Sequence, residues 1–163
     1  MDGLRKAISV IFAMVVAIGT GLFFVPLAAV IDPVTRAAVF ALAQYAAFAL
    51  DMDFAPGLAV GELALLTRFV WMAALAVCAA PVIVVSLIGE VARVRGLLWY
   101  AGATALLAAS APWLARASLH LPRAGSYNDA ELRFAIIFFL GGLISGFVYW
   151  LLAGRDAGRW TSA

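Results

Sequence analysis

The chain has 163 residues, 66% of them hydrophobic and only 12% charged, with a formal net charge of +2 and a mean hydropathy of +1.07. Soluble domains carry about a quarter charged residues. The polar surface here is too small to cover a water-soluble globule, so the bilayer has to be part of the solvent. The basic residues sit at the ends of apolar runs, as interfacial anchors and topology signals do, which speaks against nucleic acid as a partner.

At the N-terminus, Arg5 and Lys6 precede an apolar run, as in a signal peptide. Residues 7–31, however, are 25 in a row without a charge, well beyond a signal core of about 7–15. Pro26-Leu27-Ala28 is also a poor cleavage site. The stretch reads as an uncleaved first membrane helix. Three further runs reach the length for crossing, which needs about 20 apolar residues: 69–89, 97–115 and 134–153. None of the four contains Asp, Glu, Lys, Arg or His, and charges bound each one.

Between the first two spans, Asp32-Pro33 is a helix start, with Asp as N-cap and Pro at the first helical position. Residues 37–50 (AAVFALAQYAAFAL) are almost wholly apolar. Fourteen helical residues cover about 21 Å, short of a hydrocarbon core of about 30 Å. The sequence therefore predicts an interfacial or re-entrant helix over about 33–50. The alternative, a fifth span, needs Arg36 to snorkel and the bilayer to thin. A turn is expected over 51–57 and a short helix over 58–67, leading into the second span. The link 90–96 (EVARVRG) is short, which makes spans two and three antiparallel neighbours and lets Glu90 pair with Arg93 at i,i+3. In the loop 116–133, Ser126 with Asp129 resembles a cap for the last span. No internal repeat is visible, which weakens an inverted-repeat transporter reading.

Orientation follows from the basic residues. With both termini cytoplasmic, Arg5, Lys6, Arg93, Arg95, Arg155 and Arg159 crowd three short inner segments. Arg36, Arg68, Arg116, Arg123 and Arg133 are spread over two longer outer loops. The density of positive charge favours both termini inside.

Helices in lipid associate through small residues that let backbones approach. Ser9, Ala13, Ala17 and Gly21 recur every four residues in span one, Ala101, Ala105 and Ala109 in span three, and Gly142 with Gly146 form GxxxG in span four. These stripes serve packing within the chain; the alternative is that the span-four stripe meets another subunit, a second copy or another membrane protein. Pro81 and Pro112 are expected to kink spans two and three. Trp99 and Tyr100 at one end of span three, and Tyr149 and Trp150 with Arg155 at the end of span four, read as headgroup-level anchors, as do Phe69 and Trp71.

Chemistry-bearing patterns are few. The single cysteine, Cys78, lies inside an apolar run and reads as a small buried hydrophobe. A single histidine, His120, leaves no His-cluster metal site within one chain. Asp51-Met52-Asp53 spells DxD, but two solvated turn carboxylates are the ordinary meaning of so short a pattern. The spans lack the ionisable residues that mark ion and proton paths. No catalytic residue and no cofactor is implied.

The segments Glu90-Val91-Ala92-Arg93-Val94-Arg95, Trp99-Tyr100-Ala101-Gly102, and Gly142 followed by Tyr149-Trp150-Leu151-Leu152-Ala153-Gly154-Arg155-Asp156-Ala157-Gly158 carry a resemblance. They are similar to an uncharacterised group of small four-helix integral inner-membrane proteins of alphaproteobacteria. The resemblance covers about 45% of the chain, from Glu90 onward, and YWxxAGRxAG is its most specific part. It implies a bacterial inner-membrane location, and it carries over neither an activity nor a catalytic residue.

The sequence thus predicts an all-α, polytopic membrane protein of one domain: a bundle of four transmembrane helices plus a short interfacial or re-entrant helix. Its partners are the lipid bilayer and either another membrane protein or further copies of itself. The expected role is non-enzymatic, as an accessory, assembly or scaffold component. A small permease or oligomeric channel is the alternative.

Overall fold

A computed structural model describes residues 2–51, 56–118 and 129–156, all helices and the turns between them, with no strand among the described residues. The first helix, α1 (Asp2–Ile31), contains the whole first apolar run, with Pro26 inside it. It stops because Pro33 has no N–H to continue the ladder. The carbonyl that Pro33 leaves unpaired, that of Ala29, accepts the Thr35 hydroxyl at 2.8 Å instead. On the far side of this joint, Asp32 caps α2 (Pro33–Asp51). Its Oδ2 accepts the N–H groups of Val34 at 3.1 Å and Thr35 at 3.0 Å, so two of the orphan donors of a helix start are satisfied. The whole of α2 is 19 residues, about 28 Å at helical rise, longer than its apolar stretch alone suggests.

The next helix, α3 (Pro56–Val91), is 36 residues long. The short helix expected over 58–67 and the span over 69–89 are one element. No glycine or proline lies between residues 62 and 80 to interrupt it, and Pro81 is accommodated inside. Its end is a Schellman turn with an unusual residue at the left-handed position. Arg93 has φ 55°, the Val94 N–H reaches back to Gly89 O at 2.9 Å, and the Arg93 N–H to Glu90 O at 3.4 Å. That is the 6→1 and 5→2 pairing that normally ends on glycine.

The third expected span is helical but interrupted. A π-helical turn (Trp99–Ala103) runs directly into α4 (Thr104–Ala109), and α5 (Ala111–Ser118) follows after Ser110. The break falls beside Pro112, which cannot donate to the turn before it. The last helix, α6 (Asp129–Leu152), is unbroken and leads to a 3-10 turn (Gly154–Asp156).

Among the described residues, three stretches are long and apolar enough to cross a membrane: Leu4–Ile31 in α1, Ala74–Val91 in α3 and Glu131–Leu152 in α6. The organising helix is α6, which packs on α1, on α3 and along the π turn with α4. Gly142 and Gly146 make the last contact possible. A Cβ on Gly142 would lie 2.7 Å from Thr104 O and 2.8 Å from Ala108 Cβ; one on Gly146 would press into the Tyr100 carbonyl, with Ala101 Cα at 2.9 Å. Backbone meets backbone here, which only glycine permits. On the opposite side, Ala13 and Ala17 of α1 are wholly buried. The outward faces carry Phe12, Val15, Phe23 and Leu27 of α1 and Leu87 and Ile88 of α3, side chains that suit lipid tails.

Candidate functional site at the basic end of the bundle

Polar groups inside the bundle concentrate where α3 ends, α1 begins and α6 finishes. The turn after α3 is held by aromatic donors. Tyr100 Oη donates to Val94 O at 3.0 Å, and Trp150 Nε1 donates to Arg95 O at 2.9 Å. A third, Trp99 Nε1, donates to Val85 O, one turn inside the end of α3, at 3.3 Å. Each ring packs its apolar body while its single N–H or O–H donates to a backbone carbonyl, those of Val94 and Arg95 lying in the turn beyond the helix and that of Val85 inside it.

Beneath this turn, Glu90 pairs with Lys6 of α1 at 3.6 Å, both side chains largely shielded. The sequence suggested Arg93 as the partner. The left-handed backbone at Arg93 takes that residue off the helical i,i+3 geometry such a pair requires, and α1 supplies the cation instead. Tyr149 Oη faces Ser86 and Glu90, yet neither is in hydrogen-bonding geometry. Glu90 Oε1 and Tyr149 Oη are both buried without a partner. Ser86 spends its proton on Ile83 O.

Tyr100 and Tyr149, expected as headgroup anchors, are turned inward in the bundle. They are 1% and 0% exposed, and their rings sit against each other with centroids 5.3 Å apart. Their neighbours Trp99 and Trp150 are half-buried and pack against the same core cluster. Arg155 is exposed, with its guanidinium 5.8 Å from the centroid of the Trp150 ring, which stacks on Phe147 at 6.2 Å. Of the small-residue stripe in α1, Ala13, Ala17 and Gly21 are buried and Ser9 is exposed. Gly21 faces Ser145 and Cys78. Both, with Thr104, Gly141 and Gly142, line a small cavity in the middle of the bundle with room for about one water molecule.

At the opposite end, Asp32 binds Arg133 of α6 at 2.7 Å. The backbone N–H of Thr35, and then the Arg133 guanidinium, hold the Asp32 carboxyl below its usual value of 3.8. Among the described residues, no three His, Cys, Asp or Glu side chains converge as metal ligands would. Asp53, His120 and Ser126 lie outside the described residues, as does the side chain of Asp51.

The sequence offered a signal for the inward tyrosines that composition hid. Tyr149 follows Gly146 by three residues, and Ala153 follows by four more, so both continue the glycine face of α6. The three comparisons made, with protein-family models, with curated proteins and with solved structures, found no match for this chain.

Proposed function

We propose that the chain is a non-enzymatic inner-membrane protein that crosses the bilayer four times, with both termini in the cytoplasm. It serves as an accessory, assembly or scaffold component through its helix surfaces. The observation that carries this reading is the division of labour among side chains. Small residues are spent on internal packing, at Ala13, Ala17, Ala105 and Ala108 and at Gly142 and Gly146. Polar side chains are spent on backbone carbonyls of the bundle, as those of Thr20, Thr35, Ser86, Tyr100 and Thr104 are. What remains for recognition is the outward apolar face of α1, where Phe12 and Phe23 are 63% and 73% exposed.

The fourth crossing is the stretch 97–115. Its π turn and α4 lie along α6, and its length at helical rise is about 28 Å. The helix α2 lies at the interface, tied to α1 through Thr35 and to α6 through the Asp32–Arg133 pair. Purification of the tagged chain from native membranes in mild detergent, with the mass of the complex measured, tests the role. A complex heavier than one chain is expected; a strictly monomeric, partnerless species contradicts it.

A further inference from the structure

We infer that the small cavity in the middle of the bundle is a binding site for one internal water, held between four helical segments. Gly21 of α1, Cys78 of α3, Thr104 of α4 and Ser145 of α6 all line it, and its size admits about one water molecule. The space exists because α1 carries no side chain at position 21. A methyl group there would stand 2.6 Å from Ser145 Oγ and 3.7 Å from Cys78 Sγ, so the glycine leaves a gap beside both heteroatoms. The site lies inside the protein, so it stands or falls separately from the outward faces on which the accessory role depends.

The hydroxyls around the gap are one partner short. Of the buried serines and threonines among the described residues, Thr35, Ser86 and Thr104 each donate to a backbone carbonyl. Ser145 is 2% exposed, and its hydroxyl makes no bond to a described residue. A bare hydroxyl in an apolar interior is costly. One water satisfies it. The water accepts the Ser145 proton and donates to Thr104 Oγ1, whose own proton is spent on Tyr100 O, leaving its lone pairs open. The Cys78 thiol is a third, weaker partner. About three such partners hold an internal water, whereas cavities that stay dry are lined by apolar groups alone.

The test uses crystals of the full chain grown in lipid, wild type and Ser145→Ala, at a resolution that shows ordered water, with and without xenon pressure. The wild type is expected to show one water within hydrogen-bonding distance of Ser145 Oγ and Thr104 Oγ1, and no xenon. Ser145→Ala, which keeps the cavity and removes the donor, is expected to lose the water. Infrared spectra of the chain in lipid bilayers read the same site without crystals, because Cys78 is the single cysteine and its S–H stretch is a lone band. That band is expected at lower frequency in the wild type than in Ser145→Ala, since the bound water accepts from the thiol and weakens its S–H bond. The proposal is overturned by an empty or xenon-filled cavity in the wild type, by a lipid chain or a repacked side chain in its place, or by a Cys78 band that does not move. Failure of this test leaves the accessory role untouched, since complex mass reads that role independently.

Discussion

The contact between α6 and the π turn makes the sharpest demand on the sequence, and Gly146→Ala probes it. A methyl group at Gly146 would stand 2.8 Å from the Tyr100 carbonyl carbon and 2.9 Å from Ala101 Cα. Unstrained carbon contacts begin at about 3.5 Å, so α6 has to retreat by roughly 0.7 Å. The obstructing atoms are backbone and cannot rotate aside. A radial gap of that size forfeits about a quarter to a half of each contact along the seam, and overpacking of this kind costs about 1–3 kcal/mol. The variant also gains about 1 kcal/mol of helix propensity, which a control removes. Gly19 in α1 is exposed with nothing within 4 Å of an added methyl, so Gly19→Ala collects the propensity gain alone. Reversible unfolding by SDS titration in mixed micelles, read by circular dichroism, should place Gly146→Ala about 1–3 kcal/mol below Gly19→Ala. Equal stability of the two variants would refute the close-approach argument.

Other changes separate the polar groups by their surroundings. Arg93→Gly relieves a left-handed residue with a side chain and should stabilise the bundle by about 0.5–1 kcal/mol in the same titration; a loss would show that the Arg93 side chain matters more than its backbone. Tyr100→Phe deletes the bond to Val94 O and should cost about 1 kcal/mol, whereas Tyr149→Phe removes a hydroxyl without a partner and should be near neutral. The reverse order would mean that the Tyr149 hydroxyl is the bonded one. Asp32, whose folded carboxyl titrates below 3.8, favours the folded state at neutral pH. That contribution is lost as pH falls from about 4 through the folded value. Asp32→Asn should therefore flatten the acid limb of the stability profile below about pH 4, and an unchanged limb would assign it to other carboxylates.

Much of the architecture was legible because membrane helices announce themselves by uninterrupted apolar length. Three such stretches lie in α1, α3 and α6, and the Asp32-Pro33 cap stands where its chemistry predicts. What escaped depended on contacts between distant residues. Arg93 occupies a position that favours glycine, and the nearest glycine, Gly96, lies three residues on; nothing local marks the switch. The pairs Trp99-Tyr100 and Tyr149-Trp150 look like interchangeable anchors, but adjacent helical residues point about 100° apart. The tyrosine of each pair is buried, while the tryptophan stays half-buried beside it. Glu90 had two cations in reach, and only the packing of α1 on α3 decides for Lys6.

The central claim is that the chain works through a helix face turned toward another membrane protein. A photo-crosslinking amino acid placed at Phe23 on the outward face of α1, and separately at Leu106 on the outward face of α4, tests it in native membranes. Both positions are exposed, at 73% and 66%. The account predicts a discrete protein adduct from position 23, formed with a partner or a second copy and weaker or absent from position 106. Lipid adducts alone from both positions would contradict it.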